Sequence, residues 1–131
     1  MKKIMLVDIH KLRCHEAVDK GRLAALQKQL EVSGIIYRPI IVDRRSYVIL
    51  DGHHRYTVLK HLGAKKIPVH FVDYFSSDVR VYVRRKNMQM KLLKEAVIAT
   101  ANMNHVFPSK TTRHLIRGRP KLRVVTIQSL L

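Results

Sequence analysis

A chain of 131 residues with 26 Lys and Arg against 9 Asp and Glu has room for one domain with a real core, and it carries a net charge of +17. Its single cysteine, Cys14, excludes an internal disulfide framework and a cysteine-based zinc site. No segment reads as a transmembrane span, and residues 1–7 are too short and soon too polar for a signal peptide, so a cytoplasmic protein without a membrane partner is expected.

The charge is uneven. Residues 1–78 hold 14 basic and 8 acidic side chains (+6), whereas residues 79–131 hold 12 basic ones against Glu95 alone (+11). Such a field draws in polyanions, from nucleotides to nucleic acid, and it is equally what a solvated basic surface looks like. Any carboxylate chemistry must come from nine residues.

Residues 3–9 alternate as a strand, with Ile4, Leu6 and Asp8 on one face and Met5, Val7 and Ile9 on the other. Residues 10–17 form a polar loop that holds His10, Cys14, His15 and Glu16. Asp19 is placed to cap a helix running to about Val32 with Leu23, Leu26 and Leu30 as its apolar stripe, and Ser33-Gly34 ends it. Residues 39–42 and 46–50 flank the turn Asp43-Arg44-Arg45 as a hairpin. A second helix follows and stops at Gly63; residues 67–74 are a strand with Pro68 at its start. Residues 79–84 alternate valine with arginine and tyrosine, which predicts a strand with one wet, basic face. Residues 90–103 carry a third helical pattern, broken at Phe107-Pro108. An apolar run, residues 124–127, follows Arg117-Gly118-Arg119-Pro120.

Two segments hold the chemistry. Asp51-Gly52-His53-His54-Arg55 lies where a strand turns into a helix, and helix N-termini present N–H groups without internal partners, which attract anions. Gly52 allows close approach of a ligand, Asp51 suits Mg²⁺ shared with a phosphate, and His54 and Arg55 suit a transferring phosphoryl group. The bland alternative is that Asp51 caps the helix and the histidines face water. In the second segment, Ser109, Thr111 and Thr112 supply hydroxyls, and Lys110, Arg113 and His114 supply charge or ring nitrogens. That is the inventory of a phosphate cradle, more so if a short helix starts there, although the glycines of a Walker loop are missing. Glu16 is a loop carboxylate near cations: a base for a hydroxyl, or simply a solvated side chain. The remaining histidines lack the i, i+4 spacing of a helical zinc site.

With these motifs in hand, the chain resembles the ParB/sulfiredoxin-like fold over residues 3–74, in the order strand, helix, hairpin and strand-to-helix turn. Within that superfamily, residues 50–55, 11–16 and 108–114 are similar to the free serine kinases, which phosphorylate L-serine to O-phospho-L-serine. The resemblance implies an α+β fold, a ParB/sulfiredoxin-like mixed sheet with packed helices in a single compact domain over residues 1–131. It implies Glu16 as general base, Asp51 positioning Mg²⁺ or the incoming hydroxyl, and Gly52, His53, His54 and Arg55 on the transferable phosphate. Ser109, Lys110, Thr111, Thr112, Arg113 and His114 would hold the other phosphates of ADP or ATP, with free serine as acceptor in archaeal-type cysteine biosynthesis. Sulfiredoxins have cysteine at the place of His53, so their activity is not expected. ParB proteins continue into helix-turn-helix domains, and here one clear helix follows residue 85, so a full ParB is not expected. The competing readings are a ParB-like nucleotide- or nucleic-acid-binding module, which the charge supports and the scarcity of aromatics for base stacking disfavours, and a non-catalytic nucleotide sensor, against which Glu16 and Asp51 stand.

Overall fold

The computed structural model describes residues 4–83, 90–103, 112–120 and 123–131. Four strands make the central sheet: β1 (Met5–Asp8), β3 (Ile40–Asp43), β4 (Ile49–Asp51) and β5 (Lys66–Val72), in the order β1-β5-β3-β4. β1 runs antiparallel to β5, β3 runs parallel to β5, and β4 returns antiparallel to β3, so the sheet is mixed. Two short ribbons flank it: β2 (Ile35–Ile36) with β8 (Val125–Thr126), and β6 (Val79–Val83) with β7 (Thr112–Ile116). The helices are α1 (Lys20–Ser33), α2 (His53–His61) and α3 (Met90–Asn102).

Alternation along the strands decides which core each residue joins. Ile40, Val42 and Ile49 face a cluster completed by Leu30, Tyr56, Val58, Leu59, Ile67 and Val69, with α1 and α2 over that face. Ile41, Val48 and Leu50 face the opposite cluster with Tyr74, Val79, Val81, Leu93 and Val97, under β6 and α3. The sheet is therefore covered on both sides. Pro68 pairs with Leu6 of β1 but precedes Val69, the residue at which register with β3 begins, so its missing N–H falls outside that ladder.

The helix ends follow local chemistry. The Asp19 carboxylate accepts from the Arg22 N–H at 3.0 Å and caps α1. Gly34 closes that helix in the left-handed conformation at φ 68°. At α2 the capping position belongs to Gly52, at φ 105°, with no side-chain cap; Asp51 is the last residue of β4.

The hairpin turn has a buried organiser that its polar sequence did not reveal. Asp43 accepts from the Ser46 N–H (3.0 Å) and hydroxyl (2.6 Å) through one carboxylate oxygen and from the Tyr74 N–H (3.2 Å) through the other. It thus ties the hairpin to the chain after β5. Asp43→Ala strands these buried donors and is expected to cost about 2–3 kcal/mol of stability, read as a lower urea midpoint at unchanged slope.

One expectation needs correcting. A short helix in residues 109–114, the condition under which their N–H groups would join a phosphate cradle, is excluded from residue 112 on, because Thr112–Ile116 is a strand, paired with β6 from Val83↔Thr112 to Val79↔Ile116; residues 109–111 lie outside the described residues. β-Branched Thr112 and Ile116 suit that ladder, and β6 supplies the partner that a local reading cannot see. The alternation in β6 itself is as expected, with Val79 and Val81 buried and Arg80 exposed; Arg84 lies outside the described residues. Among the described residues no helix is long and apolar enough to cross a membrane.

Candidate active site

The segment after β1 carries the first part of the site to the second. Arg13 bridges Val48 in parallel register, its N–H donating to the Tyr47 carbonyl (2.9 Å) and its own carbonyl accepting from the Ile49 N–H (2.8 Å). This added strand-like contact docks the loop at the edge of β4, and Glu16, three residues on, lines the same cleft as Asp51. A register shift between Ile41 and Val42 opposes two residues of β4 to one of β3 just before Asp51, which re-aims the strand end.

The result is a cleft of about 570 Å³ lined by Glu16, Arg22 and Leu26, by residues 50–55, and by Arg113, His114 and Arg119. Four separated stretches therefore meet. Asp51 stands at the centre of the charge: its Oδ2 is 2.7 Å from Arg119 Nη1 and 3.7 Å from Arg55 Nη2. Arg55 is also pinned from behind, Nη1 donating to the Arg38 and Pro39 carbonyls at 3.0 and 3.1 Å. The first turn of α2 opens into this space, and its N–H groups have no acceptor within the helix.

Gly52 is required on two counts. Its φ of 105° strains any L-residue, and a Cβ there would come within 2.9 Å of Ile40 Cβ and 3.2 Å of Arg55 Nη2.

Behind the cleft lies a wall of buried imidazoles. His15 is fully buried; its Nδ1 lies 2.7 Å from the Ile49 carbonyl, which can only accept, so Nδ1 carries the ring proton. The His15 N–H donates to His53 Nε2 at 3.2 Å, which puts the His53 proton on Nδ1. The His15 ring meets His53 and His114 edge to face, at 4.6 and 5.4 Å between centroids. His114 Nε2 is hydrogen-bonded to the Tyr74 hydroxyl at 2.8 Å. Burial pushes the His15 pKa down to about 4 and that of His114 down to about 3, and it holds His53 well below the ordinary value, helped by its imidazole neighbours. All three rings are therefore neutral near pH 7.

This neutrality has a sign. An unfolded histidine titrates near about 6.5, so below that pH the unfolded chain binds protons that the folded chain refuses. The stability is fully present above about pH 6.5 and is lost as pH falls toward 4, at up to about 1.4 kcal/mol per pH unit for each ring. Urea midpoints measured from pH 7 to 4 are expected to drop steeply, and the slope should be shallower in His114→Gln.

The sequence-derived residues fall out as follows. Glu16, Asp51, Gly52, His53, His54, Arg55, Arg113 and His114 share the cleft. Ser109, Lys110 and Thr111 lie outside the described residues, and of Thr112 the strand position is described but not the side chain. Asp51 is not a helix cap. The His53 ring is turned into the wall instead of toward water, and His54 Nε2 accepts from the Asp19 N–H at 3.0 Å, joining α2 to the cap of α1. Arg119 and Arg22 were missed. Arg119 reaches Asp51 because Gly118, at φ 76°, reverses the chain after β7, and no local signal announces a partner 68 positions away. Cys14 is no reactive thiol, since burial pushes its pKa up to about 11.

A protein-held metal is not supported, because among the described residues no group of three His, Cys, Asp or Glu side chains is arranged so that it could hold a metal ion, the buried imidazoles included. The donor set does fit a Mg²⁺ that arrives with phosphates, since such an ion takes one or two carboxylates and fills its shell with phosphate oxygen and water.

Comparison with known proteins places this geometry. The ParB N-terminal domain model matches residues 1–88. Among curated relatives, the chain is 38% identical over 81 residues to an ATP-dependent L-serine kinase of Staphylothermus marinus, covering 59% of this chain and 32% of the relative. It is 37% identical over 82 residues to the ADP-dependent L-serine kinase SerK of Thermococcus kodakarensis, covering 60% of this chain and 34% of the relative. The match thus spans about a third of the length of those relatives. A solved free serine kinase in complex with AMP superposes with a TM-score of 0.83 at 19% identity, over 98% of this chain and 93% of the other, which shows a common fold. The α+β mixed sheet with its three helices is therefore that of this group, and the chain belongs to the ParB N-terminal domain family.

Proposed function

We propose that the chain is a phosphotransferase acting on free L-serine, moving a phosphoryl group from ADP or ATP to the serine hydroxyl to give O-phospho-L-serine. The observation that carries this reading is the meeting, in one cleft, of Glu16 and Asp51 with the first turn of α2 and with Arg113 and Arg119 from the other end of the chain. The names of the relatives agree with it: L-serine kinases, one ATP-dependent and one ADP-dependent.

The chemistry follows from what phosphoryl transfer demands: positioning, neutralisation of charge and a base for the nucleophile. Glu16 takes the hydroxyl proton. The serine oxygen forms its bond to phosphorus in line as the bond to the bridging oxygen of the donor breaks, and AMP or ADP leaves. The N–H groups at the start of α2 and the guanidinium groups of Arg113 and Arg119 hold the oxygens on which charge develops. Arg55, fixed by two carbonyls, keeps Asp51 in place. Mg²⁺, bound with the nucleotide and shared with Asp51, would neutralise the bridging phosphate oxygens. His53 contributes its backbone N–H and not its ring, which is engaged by His15.

The test is direct: incubation with L-serine, Mg²⁺ and either ADP or ATP, with product identified by mass. Phosphoserine is the expected product. Its absence with both donors, and of any phosphorylated product from threonine or homoserine, contradicts the reading.

A second reading draws on a second groove, of about 400 Å³, where Arg80, Arg117 and Arg119 gather beside the first cleft. Guanidinium groups in such a row suit a nucleic-acid backbone. That reading requires an affinity for DNA or RNA that falls steeply between 50 and 200 mM salt.

A further inference from the structure

We propose that Tyr74 is a positioning residue for the donor nucleotide: its hydroxyl fixes which nitrogen of His114 carries the proton, so that the cleft receives a neutral N–H for a phosphate oxygen. The proposal rests on the reading of the cleft as a nucleotide site.

Three observations carry it. First, the pair is buried and its polarity is determined. Tyr74 is fully buried, and its hydroxyl lies 2.8 Å from His114 Nε2. A hydroxyl that accepted from an Nε2–H would leave its own proton buried without an acceptor among the described residues, so the O–H donates and Nε2 accepts. A neutral ring with a lone pair at Nε2 carries its proton on Nδ1. Second, His114 lines the cleft beside Arg113, Arg119 and Asp51. With Nε2 spent on Tyr74, the polar atom that its ring has left for the cleft is the Nδ1–H. Third, Tyr74 is anchored away from the cleft. Its N–H donates at 3.2 Å to Asp43, the carboxylate that also holds Ser46 in the hairpin turn, and the Lys94 ammonium stands over its ring at 5.5 Å.

The ladder explains how residues 40 positions apart meet. His114 of β7 lies opposite Val81 of β6, and directly opposed residues share a face of the ribbon. Val81 is packed in the same apolar cluster as Tyr74, so the His114 side chain is carried to the Tyr74 hydroxyl.

The tautomer matters because phosphate oxygens only accept. With the proton on Nε2, the ring would set a lone pair against them. With the proton on Nδ1, it donates. Burial supports both partners in these forms: it holds the His114 pKa down to about 3, which keeps the ring neutral, and it raises that of Tyr74, which keeps the O–H a donor. Arg113 and Arg119 bring charge to the cleft, and Arg119 is already drawn to Asp51 at 2.7 Å. A neutral N–H adds direction for one oxygen without adding charge.

Two measurements on the intact chain test the role of Tyr74. In nitrogen–proton correlation spectra of the imidazoles at pH 7, His114 is identified by the signals missing from His114→Gln. It should show a protonated Nδ1 and a bare Nε2, and in Tyr74→Phe that pattern should give way to a mixture of the two forms. Tyr74→Phe keeps the ring and the main-chain bond to Asp43 and removes the hydroxyl alone. Calorimetric titration with ADP should give an affinity about fivefold to tenfold lower in this variant, the worth of one hydrogen bond. His114→Asn supplies the rescue, since its amide N–H falls near the Nδ1 position and has no tautomer to set. Adding Tyr74→Phe to it should change the affinity by less than about twofold. A protonated Nε2 in the wild type overturns the proposal and leaves the kinase reading intact. So does an unchanged affinity in Tyr74→Phe, or the same loss with and without His114→Asn. Failure of the wild type to bind ADP or ATP overturns the nucleotide reading and this proposal with it.

Discussion

Replacing Glu16 with glutamine is expected to lower phosphoserine formation by about 10²–10⁴-fold, the range supplied by a positioned general base, while nucleotide affinity stays within about twofold. The substitution preserves shape and removes the ability to take a proton. The split between turnover and affinity follows from where Glu16 sits. It comes from the loop that Arg13 docks on β4, whereas the donor contacts proposed above come from the start of α2 and from the region of β7. Steady-state kinetics beside calorimetric titration with ADP or ATP reads both quantities. Comparable loss of affinity would move Glu16 out of the acceptor half of the site, and unimpaired turnover would remove it from the chemistry.

Gly52→Ala is expected to be the most damaging alanine substitution among the glycines at positions 21, 34, 52 and 63. A Cβ there meets Ile40 Cβ at 2.9 Å, and Ile40 is a fully packed residue of β3 that cannot yield. Backbone strain at φ 105° adds to the overpacking, for a loss of about 2–4 kcal/mol. Function should suffer beyond stability. The cheapest relief is to shift the first turn of α2, and that turn carries the N–H groups that face the cleft. Gly34→Ala is the control. It has the same sign of φ, at 68°, with no atom within 4 Å of the new Cβ, so it pays backbone strain alone, about 1 kcal/mol. Urea unfolding and nucleotide titration of the two variants should differ in both readouts; equal effects would mean that contact with Ile40 is not what requires glycine at position 52.

Much of this was legible because it is local. Asp19 and Gly34 announce the ends of α1 by chemistry within a few residues, and Gly52, between the apolar run of β4 and the helical pattern of α2, marks the strand-to-helix turn. The alternation of Val79 and Val81 with Arg80 shows which face of β6 is dry. The features that escaped are those made by distant partners. Residues 112–116 become a strand because β6 lies beside them, and Asp43 looks like a turn residue until Tyr74 is brought to its carboxylate. The imidazole wall joins residues 15, 53 and 114 with Tyr74, whose spacings have no period. Arg119 has the same character: a basic residue in a basic tail, distinguished only by the 2.7 Å contact with Asp51. The family resemblance supplied the grouping of Glu16 with residues 51–55 and 109–114. The fold brings the described members together and adds the two arginines and the neutral wall on which they rest.

The claim that one cleft holds both the base and the donor phosphates is most directly tested by a crystal structure of the chain with ADP, Mg²⁺ and L-serine. The transferable phosphate is expected at the start of α2, among residues 52–55 and the guanidinium groups of Arg113 and Arg119, with the serine hydroxyl within hydrogen-bond reach of Glu16. Nucleotide phosphates seated instead in the groove of Arg80 and Arg117, with Glu16 touching neither ligand, would contradict it.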